Sequence, residues 1–286
     1  MLEAVHLTKR YASIPAVQDL SFSLRPGQVL GCLGPNGSGK STTVKMLTGL
    51  LAPSRGLVQF NGRSIQDDVT GYRNQLGYVP EEAHLYPFLT GWEYLELVGT
   101  LRGMPRAELE SKIDSLLQLF SLHPSRHLGM GQYSKGMRQR ILLIAAIMHN
   151  PDIFIFDEPL SGLDVTSALI FKNMVHVLGQ QGKLVFYCSH VLEVVEKICT
   201  DVLILRKGLV IAQDSVANIG KILGQSTGAT SCELPNSQKQ CPPEHRHICH
   251  RSTATSIAWC CALHFRKRDS ALSGKRSAAA RHTACF

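Results

Sequence analysis

The sequence predicts an α/β fold: a mostly parallel sheet with an antiparallel β edge at its N-terminal end and an α-helical subdomain inserted between strands. Three stretches of the 286 residues carry that prediction. Residues 29–33 are a short apolar run of strand character that passes through a glycine-rich loop into a helical pattern over 42–50. From residue 90 to about 148 the apolar residues recur at helical spacing. From 153 onward short apolar runs alternate with long helical patterns, the order of strands that run parallel and are connected by helices.

Taken in order, residues 2–8 alternate Leu2, Ala4-Val5 and Leu7 with polar neighbours, and a second alternating run with Leu20, Phe22 and Leu24 ends at Pro26-Gly27. The turn over 9–15 makes this pair the antiparallel edge that leads into the strand at 29–33. After the helix over 42–50, Pro53-Ser54-Arg55-Gly56 breaks the chain, and residues 57–60 with Asn61-Gly62 read as a strand closed by a tight hairpin turn. Leu76-Gly77-Tyr78-Val79 is a short strand stopped by Pro80. In the helical subdomain, which spans about residues 85–150, Leu109, Ile113, Leu116, Leu117 and Phe120 fall at i, i+4, i+7, i+8 and i+11. Glu108, Glu110, Lys112 and Asp114 lie on the outer face. Pro124, Gly129 and Gly131 interrupt the pattern before a last helix over 140–147. Strands over 153–156, 184–188, 202–205 and 209–212 then alternate with helices over 165–178 and 191–198, the last two strands meeting at the turn Lys207-Gly208.

Charge separates the chain into two parts, 1–220 and 221–286. The net charge is +8, but residues 221–286 carry 10 Lys and Arg against 3 Asp and Glu, whereas residues 1–220 carry 20 against 19. The folded body is nearly neutral, which argues against a basic groove for nucleic acid. Cysteine divides the same way: Cys32, Cys188 and Cys199 sit in apolar runs of the body, and the other six lie in the tail. Met1 leads directly into an alternating strand with no signal peptide, so the body is expected in a reducing cytosol. No apolar stretch reaches the roughly 18 residues needed to span a bilayer; the longest is 141–148. Any work at a membrane is therefore expected to need another chain that supplies the spans. The tail has no sustained period and reads as disordered or non-native, as a shifted reading frame after about Gln225 would produce. Its Cys241, His245, His247, Cys249, His250, Cys260 and Cys261 do not follow the paired spacing of defined zinc sites.

Chemistry concentrates at two places. Gly34-Pro35-Asn36-Gly37-Ser38-Gly39-Lys40-Ser41 matches the P-loop pattern in its strand-to-helix context, with Thr42 opening the helical run. The glycines let the backbone curve so that its N–H groups converge on an anion, and the helix adds the positive end of its dipole. Lys40 is placed to reach the β- and γ-phosphates and the Ser41 hydroxyl to reach Mg²⁺. The second place is Ile153-Phe154-Ile155-Phe156-Asp157-Glu158, an apolar strand ending in two carboxylates. A strand buried on both faces ends in charge only where it emerges at a site. Asp157 is placed to hold Mg²⁺ opposite Ser41, and Glu158 to polarise an attacking water.

With these two motifs and Tyr133-Ser134-Lys135-Gly136-Met137-Arg138-Gln139-Arg140 between them, residues 1 to about 215 resemble the nucleotide-binding subunit of an ABC transporter. The segment at 133–140 is similar to the family signature L-S-G-G-Q and keeps Ser134 and Gly136; Tyr133, Lys135 and Met137 depart from it. The resemblance implies a P-loop NTPase of ABC type that hydrolyses ATP with Mg²⁺. It also implies a head-to-tail homodimer or heterodimer in which Ser134 and Gly136 close on the γ-phosphate bound by the opposite subunit. Tyr11 falls where the family stacks an aromatic ring on adenine. Leu160-Ser161-Gly162-Leu163-Asp164 resembles the D-loop at the dimer interface, and His190 the switch histidine on the γ-phosphate. Glu81 stands at the Q-loop position, where the family usually has Gln, and offers an oxygen to Mg²⁺ with an added charge. Val79-Pro80-Glu81-Glu82 and the Tyr-Ser-Lys-Gly-Met signature resemble a bacterial subgroup of drug, antibiotic and other multi-component exporters. The resemblance thus implies an integral membrane permease as partner, a groove over 76–90 that receives it, and a position on the inner face of the cell membrane. A soluble family ATPase acting on nucleic acid or ribosomes, and a damaged transporter subunit, are the rival readings.

Overall fold

The computed structural model describes residues 1–219. The tail reading, including its candidate metal ligands Cys241 to Cys261, lies outside the described residues. The chain divides into two compact units, Met1–Val210 and Ile211–Phe286. Of the second, residues 211–219 are described, in a strand that continues to Ser215 and a helical turn over 216–219.

The first unit is built on two sheets. Strands β1 (Leu2–Tyr11) and β2 (Ile14–Leu24) pair antiparallel, and β4 (Arg55–Phe60) pairs antiparallel with β1 on its other side. The short β5 (Arg63–Ser64) returns along β4 through Asn61 and Gly62, both at positive φ (51° and 78°). Positive φ at both central residues is what a two-residue hairpin of matching twist requires, so Asn-Gly forms the tight turn its sequence predicts. The antiparallel strands are thus a sheet of their own, in the order β2-β1-β4-β5. Alternation along β1 and β2 states that one face is buried, not which strand lies alongside.

The second sheet has the order β10-β9-β3-β8-β7-β6, where β3 is Val29–Leu33, β6 Leu76–Val79, β7 Ile153–Asp157, β8 Leu184–Ser189, β9 Asp201–Arg206 and β10 Leu209–Ser215. From β9 to β6 all neighbours run parallel. β3, β7 and β8 are buried at every residue, as strands covered on both faces must be. On one face Leu30, Cys32, Ile153, Ile155 and Phe186 share a core with Leu7, Leu20 and Phe22 of the antiparallel sheet and with Val44 and Leu47 of helix α1 (Lys40–Leu47). Phe22 and Phe186 stack there with centroids 5.4 Å apart. On the other face Phe156 meets Phe171 of α6 (Val165–Gln180) edge-on at 5.1 Å, and α7 (Leu192–Ile198) packs so closely that a methyl on Gly31 would lie 2.6 Å from Val195.

α1 starts at Lys40, two residues before the helical pattern becomes visible, because its first turn is polar and its start is set by Gly39 at φ 107°. α2 (Val69–Asn74), capped by Asp68, is too short to announce itself by period. The helical stretch resolves into α3 (Gly91–Leu101), α4 (Arg106–Leu119) and α5 (Lys135–Ile147). Thr90 and Glu93 form a capping box at the start of α3, each satisfying the other's backbone N–H.

α5 is fastened to the edge strand β6 by close backbone approach at Gly77. A Cβ there would overlap the carbonyl of Ala146 and stand 2.9 Å from the Phe154 ring, and a main-chain carbonyl inside a helix cannot yield. Gly77→Ala is expected to cost about 1 to 3 kcal/mol, read as a lowered midpoint of chemical denaturation. A Gly77→Ala protein as stable as the parent would mean that the contact is not under compression.

Candidate functional site

Parallel register brings the predicted residues to one edge. Leu33 is paired with Ser189, and Cys188 with both Cys32 and Asp157, so β3, β8 and β7 end side by side. The glycine-rich loop leaves β3, the two carboxylates close β7, and His190 follows β8. Such a row of strand C-termini is where open α/β sheets hold ligands.

The loop is formed around Lys40, which is buried and donates from Nζ to the carbonyls of Gly34 (2.7 Å) and Pro35 (3.3 Å). Gly37 and Gly39 take φ of 76° and 107°, a region that side chains disfavour. A side chain on Gly34 would overlap the Ser38 hydroxyl. The turn is held by Ser38 N–H to Pro35 and by Gly208 N–H to Ser38, at 3.1 and 2.9 Å. Ser38 Oγ and Asp157 Oδ1 are buried without a hydrogen-bond partner. Buried polar atoms almost always have partners. An orphaned hydroxyl and an orphaned carboxylate oxygen on the elements that flank one loop fit a polar ligand there: a phosphate for the first and a cation for the second.

Asp157 is held above the ordinary carboxylate range, at about 6, by burial. The Ser41 hydroxyl opposes that shift, the charges of Glu81 and Glu158 add to it, and the Lys40 ammonium opposes it. The same influences place Ser41, Glu81, Glu158 and Lys40 around one carboxyl group. Glu81 itself is exposed, just beyond β6. Thr42 follows in the first turn of α1, and Asn36 lies exposed in the loop.

Glu158 has φ of 47°, a backbone state that costs a residue with a side chain of the order of 1 kcal/mol. Its N–H donates to Cys188 O at 3.1 Å, and its carboxylate accepts from Ser189 Oγ at 3.2 Å and pairs with His190 Nδ1 at 2.7 Å. The glutamate side chain is 12% exposed and the histidine 56%. Ser189 was not singled out from the sequence; its only signal there is adjacency to His190 at a strand end.

Tyr11 lies half-exposed at the turn between β1 and β2, with Lys9 Nζ 5.8 Å from its ring centroid. That hairpin comes near the loop through Ala16, whose carbonyl stands 2.7 Å from where a Cβ of Gly39 would be. Ser134 and Asp164 act locally in this chain. Ser134 Oγ caps α5 by accepting from Met137 N–H at 3.2 Å. Asp164 caps α6 by accepting from Ser167 N–H at 2.8 Å, which holds its carboxyl below the usual range. Gly136 packs on Gly162, 2.6 Å from its carbonyl oxygen at the Cβ position. The contacts of the 134–136 loop therefore run to the segment after Glu158 rather than to 34–42. Tyr133 is buried, its hydroxyl donating to Ser125 O at 2.7 Å, so its departure from the signature serves the core of the helical subdomain.

The family described as ABC transporter matches residues 17–161. The ABC transporter ATP-binding protein NatA of Bacillus subtilis is 34% identical over 207 residues, covering 72% of this chain and 84% of the relative. The linearmycin resistance ATP-binding protein LnrL of the same organism is 35% identical over 227 residues, covering 79% and 73%. A solved structure described as the ATP binding subunit of an ABC transporter superposes with a TM-score of 0.74 at 32% identity, over 78% of this chain and 93% of that one.

The raised position of Asp157 sets a pH dependence whose sign is fixed. The unfolded carboxyl ionises at its ordinary 3.8 and the folded one at about 6, so the group's contribution to stability is full at low pH and is lost as pH rises through 6. Without nucleotide or divalent cation, Asp157→Asn is expected to be the more stable protein at pH 8, by about 3 kcal/mol at most. The advantage vanishes below about pH 4, as thermal melts at a series of pH values would register. An advantage independent of pH would sink this account.

Proposed function

The chain belongs to the ABC transporter ATP-binding family, and from that membership we propose that it binds and hydrolyses ATP at a dimer interface to drive a separate membrane permease, in the direction of export. The observation that carries the catalytic part is the position of Glu158: next to the buried Asp157, at the end of β7, with its carboxylate braced by Ser189 and His190.

In this reading the backbone N–H groups of 34–39 and the first turn of α1 hold the triphosphate, and Lys40 exchanges its bonds to Gly34 and Pro35 for phosphate oxygens. Thr42 lies in the same turn, and Tyr11 supports the base. Magnesium, when held by Ser41 and Asp157 with Glu81 at the rim, supplies positive charge to the β- and γ-phosphate oxygens. Glu158 takes a proton from a water whose oxygen forms the new bond to the γ-phosphorus, while the bond from that phosphorus to the departing ADP breaks. His190 fixes the carboxylate and stands exposed enough to reach the γ-phosphate. Ser134, Gly136 and Asp164, whose contacts in one chain stay local, serve the site of the opposite subunit of a homodimer or heterodimer.

Partner and direction rest on separate support. Among the described residues no helix is long and apolar enough to cross a membrane, so a permease of separate chain supplies the spans and keeps this subunit at the inner face. The segment that would receive it presents Tyr86 and Phe88, 62% and 93% exposed. Exposed aromatic rings on a loop are unfavourable in water and suit a contact surface. The relation to a resistance protein supports export.

Glu158→Gln keeps the shape of the side chain and removes the base. It is expected to bind ATP with unchanged affinity and to lose about 100-fold or more in turnover, measured as phosphate release beside equilibrium nucleotide binding. Turnover at the parent rate would remove Glu158 from the role.

A further inference from the structure

The segment 158–163, which begins with Glu158, is gripped from two sides. On the β8 side are the bonds from Glu158 N–H to Cys188 O and from Ser189 and His190 to the carboxylate. On the other side stands the first part of α5. Gln139 is a buried polar side chain, and its Nε2 donates to Pro159 O at 3.1 Å. Lys135 Nζ donates to Ser161 Oγ at 2.8 Å, and its stem crosses Gly162, which turns at φ 80°. Gly136 lies against the Gly162 carbonyl. Between the two grips, Ser161 N–H to Glu158 O and Leu163 N–H to Leu160 O, both 3.1 Å, close a tight turn.

A glutamate at positive φ persists only where its surroundings over-determine it. The β8 side reaches the Glu158 N–H and carboxylate; the peptide that follows, Glu158–Pro159, is held by Gln139. Pro159 has no N–H of its own to anchor it, so its carbonyl is the handle by which this peptide can be fixed.

We infer that Gln139 is a positioning residue for hydrolysis: by holding the Pro159 carbonyl it sets the direction in which Glu158 presents its carboxylate. Lys135 and Gly136 tie the loop that starts at Ser134 to the same segment, so a shift of the first turn of α5 is transmitted to the base within one chain. This rests on the assignment of Glu158 as the base.

The test uses the full chain carrying Gln139→Met, which keeps the apolar bulk and removes the donor. Turnover is expected to fall about 10- to 100-fold, the scale set by misplacing a catalytic group by an ångström, with KM and ATP affinity unchanged. Amide exchange is expected to quicken at Glu158, Ser161 and Leu163. In a Glu158→Gln background the substitution adds no further loss, because it acts through the group already removed. If Gln139→Met does not fold, Gln139→Asn, one methylene shorter, withdraws the donor from Pro159 and is held to the same expectations. Parent-like turnover in a folded variant, or a loss that multiplies with that of Glu158→Gln, would overturn the inference. The two levels separate cleanly. An active Glu158→Gln removes the base assignment, whereas an inactive Glu158→Gln beside a fully active Gln139→Met leaves the base in place and removes Gln139 alone.

Discussion

Everything at this site depends on the burial of one carboxyl group. Asp157 ends a strand whose other residues are covered on both faces, and the sheet pushes its ionisation up to about 6. An acid in that position is tolerated only where something positive offsets it. Lys40 supplies part of the compensation and is itself occupied with carbonyls of its own loop. The remaining imbalance, an unpaired carboxylate oxygen near an unpaired serine hydroxyl, is what distinguishes a binding site from a well-satisfied core.

The architecture serves that imbalance. Parallel pairing of β3, β8 and β7 puts three loops of different sequence at one edge without any loop having to be long. The antiparallel sheet and α1 close one face of the parallel sheet, and α6 and α7 the other. The strands are thereby held on both faces while their ends stay open. The helical subdomain contributes through α5, whose C-terminal half is locked to β6 at Gly77 and whose N-terminal half meets the turn after β7.

Much of this was legible in the chain because it is written in local terms. The P-loop pattern, the apolar strand ending in Asp157 and Glu158, and the Asn61-Gly62 hairpin each depend on residues adjacent in sequence. The separate identity of the antiparallel sheet was not legible, since alternation in β1 and β2 marks a buried face and not a neighbour. Nor was the contact of His190 with Glu158, residues 32 apart that meet only through the register of β7 and β8. Gln139 was invisible for a further reason. It lies in a helix whose other inward residues are apolar, and nothing local says that one amide turns towards a carbonyl twenty residues on.

The bonds from Lys40 to Gly34 and Pro35 bear on how tightly any anion can be held. A loop that wraps its own ammonium group is already shaped before a guest arrives, so little chain entropy is spent in organising it. The same two bonds have to be surrendered when the guest enters. Affinity here is accordingly a difference between two nearly matched sets of contacts, a balance that favours release as much as capture in a protein that must let go of its product once in every cycle.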